Sequence, residues 1–153
     1  MKNTLACLLL FLAAACGTVA DDDTDIDTAA SSASPVIATV GPGGAVVVNT
    51  DVLRPTFSEG GAIADFGVRQ LVDGAFLVRR GHTLDGKTRT DTIPLARVAN
   101  RFYLAYELHS VMLCLGGCTF CGITYNHDSC ECPNGSDCDT GFIDLTPIDI
   151  LRL

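Results

Sequence analysis

PLARVANRFYLAYELHSVMLCL, residues 94–115, is the stretch on which the fold class turns. Leu95, Val98, Phe102, Ala105, His109 and Met112 recur at helical spacing, with Pro94 near the start and Gly116-Gly117 beyond the end, so one long helix can be drawn through it. Phe102, Leu104, Tyr106 and Leu108 alternate instead with period two, which is a strand pattern. We take the strand reading. Ala99-Asn100 can serve as a turn, aromatic side chains suit a pleated surface, and the segments before it are themselves strand-like. The alternative is an α+β domain with one helix around 94–115.

Towards the N-terminus the chain is a series of short apolar runs between turn residues. VIATV and AVVVN flank Gly41-Pro42-Gly43-Gly44, GVRQLV and AFLVRR flank Asp73-Gly74, and Asp85-Gly86 precedes KTRTDTI. Asp-Gly between alternating apolar segments marks a hairpin, because the tight turn needs positive φ, which these residues tolerate. At least two hairpins are predicted. The expected fold is therefore mainly β: a small meander or sandwich-like domain spanning 36–153.

Towards the C-terminus follows CLGGCTFCGITYNHDSCECPNGSDC, residues 114–138, which holds six of the eight cysteines. At the other end Lys2 and the uncharged apolar run 5–15 read as a secretory signal, since the run is too short to span a membrane, which takes about 20 residues. Leu12-Ala13-Ala14-Ala15-Cys16 resembles the lipobox of bacterial lipoproteins. The resemblance implies cleavage before Cys16, lipidation of Cys16 and attachment to the outer membrane or cell surface. The alternative is an ordinary signal peptide ending at Ala20 and a soluble periplasmic or extracellular protein. Residues 21–35, DDDTDIDTAASSASP, have five aspartates and little apolar surface to bury, so a disordered acidic tether is expected.

Loss of Cys7 with the signal, and of Cys16 to cleavage or acylation, leaves six cysteines. An even number in an exported chain points to disulfides among Cys114, Cys118, Cys121, Cys130, Cys132 and Cys138, with fifteen pairings open. Cys130 and Cys132 are too close to bridge each other. Each is expected to reach a different partner, one among Cys114 to Cys121 and the other towards Cys138.

The competing chemistry is metal binding or thiol redox. The six cysteines with His109 and His127 offer more than the four ligands zinc needs, and Cys118-x2-Cys121 has a zinc-knuckle spacing or that of a redox pair. CLGGCTFC also resembles the C-x3-C-x2-C cluster motif of radical SAM enzymes, which implies an Fe–S cluster on Cys114, Cys118 and Cys121. That motif opens a large barrel in the family, whereas 32 residues follow Cys121 here. No nucleophile signature accompanies the histidines, so no catalytic residue is marked.

The net charge is −8, with a near-neutral body between an acidic tether and an acidic cysteine segment. Nucleic acid, which needs a basic face, is excluded as a partner. The sequence thus leads to an exported envelope protein of structural or binding type, membrane-bound through an N-terminal lipid, with an unidentified protein or glycan partner and no cofactor. The alternative is a small zinc, Fe–S or thiol redox protein.

Overall fold

A computed structural model describes residues 34–105, 111–119, 121–133 and 138–152. The signal, Cys16, the tether as far as residue 33, and Tyr106, Leu108 and His109 lie outside the described residues. The domain is mainly β, as expected, and residues 94–104 and 111–115 are strand and turn, not helix.

Among the described residues, eight of ten strands form one antiparallel sheet: β1 (Ala38–Val40), β2 (Val46–Val48), β3 (Ala62–Leu71), β4 (Gly74–His82), β5 (Thr88–Val98), β6 (Arg101–Leu104), β7 (Val111–Gly116) and β10 (Cys138–Ile143). β8 (Gly122–Ile123) and β9 (Cys130–Glu131) make a separate small ribbon, and α1 (Pro147–Ile150) is a single turn of helix. The turn residues act where the sequence put them. Residues 41–45 join β1 to β2, β3 and β4 close on Leu71 opposite Gly74, and Val98 faces Arg101 across Ala99-Asn100, with Ala99 at φ +53°.

The sheet is more than a meander because β5 changes partner along its length. β4 flanks one side of β5 from residue 88 to 95; on the other side Thr88–Thr92 pair with β7 and Leu95–Val98 with β6. The fork falls at Ile93-Pro94, where proline has no N–H to give a ladder. One branch continues through β7 to β10, the other through β6 to β1 and the edge strand β2.

Both faces of the centre are covered, which is why β5 and β7 are almost continuously buried. On one face Leu77, Ile93, Leu95 and Val111 pack with Ile37 and Phe102 from the second branch, Leu53 from the 49–60 connection, and Leu145, Ile150 and Leu151 from the C-terminus. The C-terminal segment is fastened there by Arg54 N to Ile150 O (2.8 Å) and Arg152 N to Val52 O (2.9 Å). On the opposite face Leu71, Phe76 and Met112 pack with Cys114, Cys118, Cys121 and Ile123. Each such aliphatic side chain contributes on the order of 1.5–3 kcal/mol through removal from water.

β3 shifts register between Ile63 and Asp65, and Gly81 of β4 lies opposite that shift. A Cβ on Gly81 would drive into the Ala62 carbonyl and come within 2.8 Å of Ile63 Cα. Gly81→Ala is therefore expected to cost about 1–3 kcal/mol in urea unfolding, as overpacking does. Gly67→Ala, where a Cβ meets nothing within 4 Å, is the control and should stay within about 0.5 kcal/mol of wild type. Equal effects at the two positions would show that the bulge does not need its glycine.

Candidate functional site: a cystine cluster on a threonine row

β5 presents its even-numbered side chains, Thr88, Thr90 and Thr92, to the face that carries the cysteine segment. All three are buried, and none is left unpaired. Thr88 Oγ1 donates to Gly116 O (2.9 Å) and Thr92 Oγ1 to Met112 O (3.2 Å), both on β7, while Thr90 Oγ1 donates to Cys121 O (2.6 Å). A buried hydroxyl must be paired to be tolerated, so the row fixes where the cysteine segment can sit.

The six cysteines are joined in three cystines: Cys114–Cys130, Cys118–Cys132 and Cys121–Cys138, with Cα separations of 5.7, 6.2 and 6.5 Å. The first partner of each pair lies in 114–121 and the second in 130–138, in the same order. The expectation that Cys130 and Cys132 would reach different partners holds; the expectation that one would turn to Cys138 does not. Cys138 is the first residue of β10, opposite Gly116 of β7, and its sulfur takes Cys121. Cys118 and Cys121 do not close on each other as a redox pair, although their sulfurs are 3.4 Å apart.

Two of the cystines are packed against each other. The sulfurs of Cys118, Cys121, Cys132 and Cys138 all lie within 4.8 Å of one another, and Cys121 Sγ is 3.6 Å from Cys132 Sγ. Cys118 and Cys121 are buried, Cys132 and Cys138 half-buried. Cys114–Cys130 stands outside this group and ties the β8–β9 ribbon to β7.

His127, proposed among metal ligands, has a different role. Its Nδ1 is 2.8 Å from Asp73 Oδ2 and its Nε2 is 3.2 Å from Thr92 Oγ1, so both ring nitrogens are engaged. The ring also lies 4.3 Å from that of Phe76, and its backbone is left-handed at φ +57°. Val72 N to Tyr125 O (3.1 Å) adds a backbone bond across the same joint. The 124–129 loop is thus clamped to the β3–β4 turn. An Asp-His-Thr alignment resembles a charge-relay chain, but Thr92 is 1 % exposed and its oxygen is enclosed between strands, so it is not presented to a substrate. Within the loop Asp128 accepts from Thr124 (2.8 Å) and Ser129 (2.9 Å); these bonds hold its carboxyl below the usual range.

On the other face of β5, Arg89 and Asp91 alternate with the threonines. Asp91 accepts from Arg79 Nη2 (2.6 Å) and Arg89 Nε (2.7 Å), Arg79 also donates to Asp149 O (3.0 Å), and Arg89 pairs with Glu59. The Phe57 ring covers both guanidiniums. Burial draws Arg79 below the usual arginine value against the pull of Asp91. For Arg89 burial acts the same way, but its hydrogen bonds and charge pairing with Asp91 and Glu59 together outweigh it and the value rises. Sequence reasoning missed this cluster and the His127 clamp. The only available signal was that Arg89 and Asp91 share a strand face with Ile93 and Leu95.

No family model, no curated protein and no solved structure matches the chain.

Proposed function

We propose that the protein is an exported envelope module, anchored through a lipid on Cys16, whose cystine-tied loop makes contact with a protein or glycan partner. One observation carries this reading: the six thiols that a metal or redox enzyme would use are tied in three cystines that form the floor of the second core. Cystines in a small domain are suited to an oxidising compartment, where they hold structure. The contact residues are Tyr125, 64 % exposed at the loop tip, and Val72 beside it, 60 % exposed. Both sit on backbone held rigid by the His127 clamp. A fixed exposed aromatic loses little freedom on binding, which favours affinity.

Replacement of Cys16 by Ser is expected to move the protein from the membrane to the soluble fraction, and unchanged partitioning would refute the lipid anchor. The intact mass of the natively exported chain should include an acyl adduct and lie six hydrogens below that of the reduced form. For the partner, a photoreactive phenylalanine analogue at Tyr125 should give a cross-linked adduct in the native envelope, whereas the same group at Leu84, 82 % exposed on another loop, should not. Equal labelling from both positions would remove the loop tip as the contact site.

A further inference from the structure

We propose that the reduced protein carries a four-thiolate site for a thiophilic tetrahedral cation of the zinc class, made by Cys118, Cys121, Cys132 and Cys138. Four sulfurs bound to zinc at about 2.3 Å occupy tetrahedral corners about 3.8 Å apart. The four here lie within 4.8 Å of one another while still joined as cystines, with two contacts between different cystines of 3.4 and 3.6 Å. Opening both bonds requires each bonded pair to separate by less than 2 Å or so for the tetrahedron to form around an ion. Small side-chain rotations supply that movement.

The ligand set is narrower than the sequence offered. Cys114 and Cys130 lie outside the group, and His127 has both ring nitrogens occupied by Asp73 and Thr92. The Thr90 bond to the Cys121 carbonyl and the His127 clamp seat the cysteine segment on the sheet independently of the Cys114–Cys130 bridge. The ion re-orders only the cysteine segment and β10, because the core around Leu77, Ile93 and Ile150 contains no cysteine and the sheet does not have to fold around the metal.

The exchange balances with a dithiol or phosphine as reductant. Two electrons and two protons enter each cystine, so breaking the two S–S bonds takes four electrons and yields four thiols, while the reductant is oxidised. The dication then displaces four protons from the thiols and is held by four thiolates. Oxidation by a disulfide-bearing oxidant removes four electrons, re-forms the two S–S bonds and releases the ion. The two cystines and the metal site are alternative states of the same four sulfurs, and the oxidised protein remains the binding module described above.

Cobalt(II) is the probe, because tetrahedral cobalt thiolate has strong visible ligand-field bands and sulfur-to-metal charge transfer. The full chain is reduced anaerobically with a phosphine and titrated with Co(II) while far-UV circular dichroism follows the sheet. The expected result is one cobalt per chain with a four-sulfur spectrum, a sheet signal retained, displacement by Zn(II), and no such spectrum from the oxidised chain. The Cys114→Ser/Cys130→Ser variant should keep the spectrum. Cys118→Ser/Cys132→Ser and Cys121→Ser/Cys138→Ser should each weaken binding at least about a hundredfold. The proposal is overturned if the reduced chain gives no four-sulfur spectrum, if the spectrum forms only after the sheet signal is lost, or if Cys114 and Cys130 prove necessary. Because the partner cross-link at Tyr125 is read on the oxidised protein, its failure and the failure of the metal site are separate outcomes.

Discussion

Asp91→Ala is expected to lower the free energy of unfolding by about 3–5 kcal/mol, the cost of removing one partner from a buried ion pair. The side chains of Arg79 and Asp91 are wholly buried, and that of Arg89 is 5 % exposed. One carboxylate therefore serves two guanidiniums, Oδ1 accepting from Arg89 Nε and Oδ2 from both Arg79 Nη2 and Arg89 Nη2. Without it Arg79 keeps the Asp149 carbonyl and the Phe57 face, but it then stands beside a second cation out of reach of water. Arg89 suffers less because Glu59, itself exposed, can still pair with it. Truncating Asp91 should thus cost more than Glu59→Ala, an exposed-side loss of about 1 kcal/mol or less. Replacing Arg79, Arg89 and Asp91 together by apolar residues of similar size should cost much less than Asp91→Ala alone, since the only charge left unpaired, Glu59, is exposed to water. Urea unfolding of the disulfide-intact protein decides the matter. An Asp91→Ala cost below about 1 kcal/mol would mean that water reaches the cluster and that it is no part of the core.

That cluster also shows what the sequence could and could not reveal. The hairpins were legible because Asp73-Gly74, Gly41-Pro42-Gly43-Gly44 and Ala99-Asn100 dictate backbone angles locally, and the alternation from Phe102 to Leu108 favoured strand over helix, which β6 bears out as far as Leu104. In an all-polar run such as Thr88-Arg89-Thr90-Asp91-Thr92 the period-two rule fails, because polar residues on both sides read as an exposed strand. The structure makes this the central strand, buried on both faces, with one face satisfied by carbonyls of β7 and the cysteine segment and the other by mutual charge. Partners at those sites come from residues 59, 79, 112, 116, 121 and 127, and no local pattern announces them. The fork at Pro94 was hidden likewise: proline marks a place where pairing changes, but not which strands take over. Cystine connectivity depends on the β7–β10 register, and His127 meets its partner Asp73 across 54 positions.

Cleavage of all three cystines by reductant, in the presence of a chelator so that no ion replaces them, is expected to have the other large effect. The bridges span sequence separations of 16, 14 and 17, and a loop of about 15 residues is worth about 3 kcal/mol of restricted unfolded-chain entropy. The three loops overlap between residues 121 and 130, so closing one shortens the path closed by the next and the total is less than three separate terms. Even two-thirds of the sum, about 6 kcal/mol, is comparable with the whole stability of a small domain. The loss should not be uniform. The core around Leu77, Ile93 and Ile150 contains no cysteine, whereas the core around Leu71, Phe76 and Met112 is completed by Cys114, Cys118 and Cys121. Hydrogen exchange of the reduced, chelated protein should therefore accelerate first in residues 117–133 and in β10, while β3–β4 amides exchange later. Cys114→Ala/Cys130→Ala alone should cost about 3 kcal/mol and loosen the β8–β9 ribbon, because that bridge is the one tying the ribbon to β7. If reduction with chelation leaves the urea midpoint where it was, the sheet, its threonine row and the His127 clamp hold the segment unaided, and the cystines are not what stabilises it.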